Sequence, residues 1–462
     1  MCPARAVFAG IFAGLISAGT AAAPLVPCRI DVVERVSGWP VPLVELRTLH
    51  GVRFVSDNAG VIAFDLPELM GRELWLDVSG HGYGVKADGF GYRGVRLTPV
   101  PGGRLRVEVE RTSLARRLGR VTGAGIFGES QKIGLDGLWK ETGVLGCDSV
   151  QAVVFGGGLF WAWGDTTLPH YPLGIFHMSA ARTNVRPLAT FEPPLRLDLA
   201  HFRGPSGRPR DVARMPGPGP TWLSGVIALP DAAGRERLVA AYAKIRAPLS
   251  VYETGLCVWN ESSEDFEPLS VLWREMDAGP RPPSLPDGQA FLADDERGVK
   301  WAYFGNPFPV LRCRATFEMW CDPAQWEKME APVTLTPTDG GKPVKVHGGS
   351  VAWHPWRRKW VTIFTQASGA GSFLGDIWYS EAPAPTGPWG RAVKVLSHDN
   401  YTFYNPRIHA MWSAADSPVL IFEGTFTREF ADRPPAVSRY DYNQIMYRLD
   451  LDEPGLAAAH AP

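Results

Sequence analysis

Two aspartates carry the clearest chemical signal. Asp148 and Asp165 bound the segment DSVQAVVFGGGLFWAWGD, two strand-like runs around a glycine turn. In an antiparallel hairpin the first residue of one strand and the last of the next share a sheet edge. The spacing therefore sets two carboxylates together, beside the flat run Phe160, Trp161 and Trp163. Neighbouring carboxyls can split their pKa values, one serving as acid and the other as base or nucleophile. The same residues also suit plain turn chemistry, with Asp148 capping and Asp165 closing an Asx-turn over Thr166 and Thr167. Two further carboxylates could assist. Glu253, in SVYETG, begins a third strand at the same edge, where it is either a general acid or a surface charge. Glu423 follows its aligned aromatic Phe422 by one residue, whereas Asp165, Asn306 and Gln366 follow theirs by two. Side chains alternate faces along a strand, so Glu423 should point away unless a bulge resets the register.

These positions belong to a repeat. Five segments share one plan of polar or small start, apolar strand, turn, and aromatic strand ending at a polar residue. They run 148–165, 223–244, 288–306, 348–366 and 405–423. Near-constant repetition of a hairpin, with a third strand-like run after most copies, predicts an all-β fold: a five-bladed β-propeller. The run YDYNQIMYRLD, 440–450, supplies a last strand after the fifth hairpin. Inner-strand starts converge on the axis of a propeller, so the hairpins should bring their polar ends to one face. The expected substrate-binding residues there are Ser149, Gln151, Trp163, Asn306, His347, Gln366, Tyr404, Asn405, Arg407 and His409. Amides, hydroxyls and aromatic faces in a shallow funnel suit a carbohydrate. Arg407 is the candidate for an anionic group or a sugar diol. His347 and His409 lack metal-ligand spacing and are read as hydrogen-bonding groups, so neither metal nor cofactor is expected.

Composition agrees with this architecture. Among 462 residues there are 50 Gly, 41 Pro, 17 Trp, 12 Tyr and 22 Phe, which suits short strands joined by many turns and excludes a helical bundle. With 47 basic and 48 acidic residues, a net charge of -1 leaves no field for gripping nucleic acid. Residues 1–23 place Arg5 before an apolar run and end at Ala21-Ala22-Ala23 with no acidic residue, the order of a secretory signal. The chain is therefore expected to be exported, periplasmic or extracellular, without a membrane span and as a monomer. Pro27 departs from a lipoprotein box at Cys28. Beyond Cys2, five cysteines remain, an odd number; Cys313 and Cys321 could bridge, or all could be buried thiols.

Residues 29–112 alternate turn clusters with strand-like runs such as RLRVEV and read as a small antiparallel sandwich. The order VPLVEL, SDNAGVIAF, GYG resembles carboxypeptidase-regulatory-like, prealbumin-type domains, and a spacer or stability role is expected. Residues 113–140 read as a connector, 141–453 as the propeller and 454–462 as a frayed tail.

Three phrases, GCDSVQAVVFGGGLFWAWGDT, GDIWYSEAPAPTGPW and YNPRIHAMW with LIFEGTFT, resemble the five-bladed propeller glycosidases, including arabinanases, β-xylosidases and the endo-D-arabinanase type. The resemblance implies a base or nucleophile at Asp148 and an acidic Glu on a later blade. The third hairpin departs from that pattern, starting Gly288-Gln289-Ala290 without a Glu. The leading expectation is an exported glycoside hydrolase using Asp148 and Asp165, assisted by Glu423 or Glu253. The alternatives are a glycan-binding propeller without catalysis, or a polysaccharide lyase with Arg407 as neutraliser and His347 or Tyr404 as base.

Overall fold

The computed structural model describes residues 25–135, 139–277, 279–282, 284–369, 371–432, 434–437 and 439–460. The signal-like segment 1–23 lies outside them. Cys28 opens the first strand, and its side chain is enclosed in the sandwich core.

Five antiparallel sheets follow the repeat. The first hairpin is Gln151–Phe155 with Gly158–Trp163, and the second Thr221–Pro230 with Glu236–Arg246. Phe291–Asp294 with Lys300–Gly305, Val344–His354 with Lys359–Gln366, and Thr402–Ile408 with Val419–Thr427 complete the series. Each gains further strands on its outer side. Strand interiors are apolar on both faces because each sheet packs between two others. Phe160 of the first sheet meets Tyr242 and Trp259 of the second. Leu256 of the second meets Phe304 of the third, and Trp360 of the fourth meets Tyr303 of the third. Tyr379 of the fourth meets Phe422 of the fifth, and Met446 of the fifth meets Trp161 of the first. That order is cyclic, as a propeller of five sheets requires.

The fifth sheet contains the last strand expected at 440–450 and corrects the reading of 113–140 as connector. Asn443–Asp450 is its third strand, and the outer place is taken by Arg116–Arg120, from the segment read as connector. The tail is also ordered by burial: residues Pro454–Ala459 form 3-10 turns with Leu456 and Ala459 buried against the fourth and fifth sheets.

The N-terminal module has two four-stranded sheets, and it is not wholly antiparallel, because Cys28–Glu34 runs parallel to Arg104–Arg111. It is more than a spacer. Asn58 donates to the carbonyl of Arg120 and accepts from its N–H, both at 3.0 Å, while Tyr83 Oη accepts from the Arg117 N–H at 3.1 Å. These bonds satisfy the exposed edge of the outermost strand. The Arg117 side chain, 1% exposed, donates to the carbonyls of Pro42, Leu43 and His81 and to Tyr440 Oη. All five described cysteines are free thiols, including Cys313 and Cys321.

Candidate active site

A cavity of about 430 Å³ opens where the inner strands begin. Of the expected residues, Asp148, Ser149, Gln151, Asn306, Tyr404 and Asn405 line it. Local backbone geometry explains their placement. Ser149 and Asn405 both have left-handed backbones, φ 49° and 50°, which turn their side chains toward each other, and Asn405 Nδ2 donates to Ser149 Oγ at 2.9 Å. Non-glycine residues held there cost strain that the surrounding structure must offset, a pattern concentrated at functional sites. Ser149 is anchored through its N–H to Thr425 Oγ1 at 2.9 Å. The Asp148 carboxylate lies over Gly164, where an added Cβ would stand 2.1 Å from Oδ1.

Asp148 is the most perturbed of the lining carboxyls. Loss of solvent raises it to about 7, and the Asp165 charge adds to the rise; the Tyr404 and Tyr442 phenols and a backbone bond from Asp165 oppose it. Tyr404 Oη donates to Oδ2 at 2.6 Å. Asp165 pairs with Asp148 through backbone, Asp148 N–H to Asp165 carbonyl at 3.1 Å, but is not among the residues lining the cavity. Burial raises its carboxyl to about 6, with the Trp222 indole N–H opposing and Glu429 adding. Asp165 Oδ1 and Trp222 Nε1 nonetheless both lack a partner at hydrogen-bond geometry. The Asp165 charge thus reaches Asp148, whereas burial, Trp222 and Glu429 set Asp165 itself. Two substitutions should therefore move the Asp148 titration in opposite directions. Tyr404→Phe removes a donor that favours the anion and should raise it by about 1 pH unit, the equivalent of one strong hydrogen bond. Asp165→Asn removes a like charge and should lower it. Shifts of the same sign, read by carboxyl NMR or infrared titration, would show that the two carboxyls do not sense each other this way.

Sequence reasoning missed the second carboxylate of the cavity. Asp287 lines the cavity one residue before the third hairpin, and burial raises its carboxyl, with Arg281 opposing. The signal was present: the third hairpin lacks an acidic start only if counting begins at Gly288. That glycine has φ +79°, and its Cβ position lies 2.2 Å from the Gly305 carbonyl, so any side chain must sit a residue upstream. Trp222, Tyr242 and Phe430 supply the aromatic wall, and Arg281 is the cation among the described lining residues.

Other expected residues lie elsewhere. Glu253 is held behind the wall, accepting from Tyr242 Oη at 2.8 Å and from Arg274 Nε at 2.7 Å, so it is fixed as an ion pair and not a free acid. Trp163 is fully buried, stacked on Trp161 within the core between the fifth and first sheets, and offers no face to a sugar. Gln366 accepts from Trp378 Nε1 at 2.9 Å, and His347 is exposed on its strand; neither lines the cavity.

Arg407, His409 and Glu423 fall below the cavity. A bulge in the Thr402–Ile408 strand shifts the pairing between Tyr404 and Arg407, so Arg407 faces Glu423. The bulge lies on the partner strand and leaves Glu423 turned inward, fully buried 3.6 Å from His409. Arg407 donates to Gln289 Oε1 and to the Ala152 carbonyl. So placed, Arg407 cannot be the group that neutralises a substrate carboxylate in the lyase reading, and Arg281 is the cation that the described lining offers. Among the described residues no group of three or more His, Cys, Asp or Glu side chains is placed to hold a metal ion, and no helix is long and apolar enough to cross a membrane.

No family model matches the chain, and no curated protein matches it. Among solved structures it is similar to an exo-1,5-α-L-arabinanase from a bovine ruminal metagenomic library, with TM-score 0.38 and 10% identity over 66% of this chain and 93% of that one. It is similar to the exo-β-1,3-galactanase of Phanerochaete chrysosporium, with TM-score 0.38 and 10% identity over 69% and 64% of the two chains. The GH43_1 enzyme of Xanthomonas citri, solved with xylose, gives TM-score 0.36 and 13% identity over 66% and 87%.

Proposed function

We propose that the protein is an exported glycoside hydrolase acting at the cavity between Asp148 and Asp287. The observation that carries this reading is two water-shielded carboxyls, from the first sheet and from the entry to the third, in one cavity walled by Trp222, Tyr242 and Phe430. Glycoside hydrolysis needs one carboxyl that keeps its proton for the leaving oxygen and one that is ionised to support attack at the sugar carbon. Asp148, held at about 7, carries the larger shift and keeps its proton to higher pH. In this reading Asp148 is the acid and Asp287 the ionised partner, the reverse of the role that the resemblance implied for Asp148. Asp165 acts through its charge on Asp148, and Ser149, Asn306 and Asn405 offer hydrogen bonds to sugar hydroxyls. Export rests on the order of Arg5, the apolar run and Ala21-Ala22-Ala23.

The test is incubation with plant, algal and bacterial polysaccharides, arabinan, xylan and galactan among them, with assay of new reducing ends. Release from at least one, lost in both Asp148→Asn and Asp287→Asn, is the expected result. Release that survives both substitutions, or none from any polymer, would remove the assignment.

A further inference from the structure

The cavity is closed beneath by side chains that cross the propeller axis. Gln151 Nε2 donates to the Gly288 carbonyl and Gln289 Nε2 donates to the Val150 carbonyl, each at 3.3 Å, a reciprocal pair joining the first sheet to the third. Arg407 of the fifth sheet locks this floor through Gln289 and Ala152. Ser224 of the second sheet adds a bond from the Gly288 N–H at 2.6 Å. Every one of these groups is committed to protein, so the floor is a built hydrogen-bonded layer and not a passage.

Walls rise from the first, second, third and fifth sheets, and none of the described lining residues comes from the fourth. Met178 stands on the first-sheet side, and Leu249, in the turn between the second and third strands of the second sheet, stands at the rim, 68% exposed. Arg281 and Leu285, from the link to the third sheet, form the next side, and Phe430, 59% exposed and following the fifth sheet's second strand, faces the opening. A polymer bound at mid-chain must leave a site in two directions, which demands a trough with opposite exits. Here four of the five sheets contribute lining residues around a floor. At about 430 Å³ the cavity is also near the lower end of the roughly 300–1,000 Å³ typical of ligand pockets.

We infer that this pocket receives the terminus of a glycan chain and not an internal segment. Resting on the hydrolase reading, the consequence is exo-action: cleavage proceeds from chain ends and releases one short product of fixed size.

Two measurements test it. On whichever polymer of the panel is cleaved, the expected result is a single product size from the first turnovers, with viscosity falling only in proportion to mass released. A ladder of mixed lengths, with viscosity collapsing while few reducing ends have appeared, would overturn the inference and leave the hydrolase reading standing. The second measurement needs no turnover: binding of arabino-, xylo- and galacto-oligosaccharides of two to six units to wild-type protein and to Asp287→Asn, by calorimetry. Affinity for the preferred series should stop improving, by more than about twofold per added unit, after the second or third sugar, because later units find no wall to bury against. Affinity that climbs steadily through six units, or no binding from any series, overturns the chain-end pocket. A plateau without cleavage would sustain it and sink the hydrolase assignment.

Discussion

Replacing Asp148 by Asn should lower kcat on an unactivated glycoside by about 10³-fold or more, the scale on which a positioned general acid contributes. The same variant should keep much of its activity on a dinitrophenyl glycoside of the same sugar. That leaving group departs without a proton, so loss of the acid is felt only weakly. Asp287→Asn should fail on both substrates, because support of attack at the sugar carbon is needed whatever leaves. The physical basis is the ordering of the two carboxyls: Asp148 is pushed to about 7 by loss of solvent and by the neighbouring Asp165 charge. Wild-type activity should decline above that pH as Asp148 loses its proton, and the decline should vanish for the activated substrate. If Asp148→Asn loses both substrates equally and Asp287→Asn spares the activated one, the roles are exchanged.

The second large effect is on stability. Lys244→Met should cost about 1–3 kcal/mol, the range for leaving buried acceptors without their donor. The Lys244 side chain is fully buried in the Glu236–Arg246 strand. Its ammonium donates to the carbonyls of Met215 and Gly217 at 3.1 Å and of Gly219 at 2.8 Å, with Thr221 Oγ1 at 3.3 Å. These carbonyls come from a turn-rich segment with few strand partners of its own, leading into Trp222 of the pocket wall. Methionine fills the same volume but leaves inward-facing oxygens without a donor. The denaturation midpoint followed by tryptophan fluorescence should drop accordingly. A change under about 1 kcal/mol would mean that water takes over the ammonium's bonds.

The repeat was legible because period-two apolar runs and glycine turns are local properties. All five hairpins appear where the aromatic strands placed them, and Asp148 and Ser149 line the cavity just ahead of the first inner strand, with Asn405 at the bulge of the fifth. Errors came where one residue of register decides a side chain's direction. The bulge after Tyr404 sends Arg407 under the floor, and its one sequence signal is Pro406, which cannot donate to the ladder. Trp163 looked like a sugar platform, yet an aromatic on the second strand of a sheet packed on both faces is first of all core. Asp287 was hidden by its setting in SLPDG, which reads as loop. Glu253 shows the reverse: its charge was visible, but Arg274, which fixes it, belongs to the adjacent strand and is brought in only by pairing.

The strand Arg116–Arg120 has a consequence for how the molecule comes into being. Synthesis delivers it before any of the five hairpins, whereas its sheet partner, Asn443–Asp450, follows all five. For most of translation this strand is an unpaired edge, the kind of surface that invites pairing with a neighbouring chain. The N-terminal module is complete by then, and Asn58 and Tyr83 already cover one side of the waiting strand. The module thus behaves as a built-in holder, keeping one end of the ring in place until the other arrives to be zipped onto it.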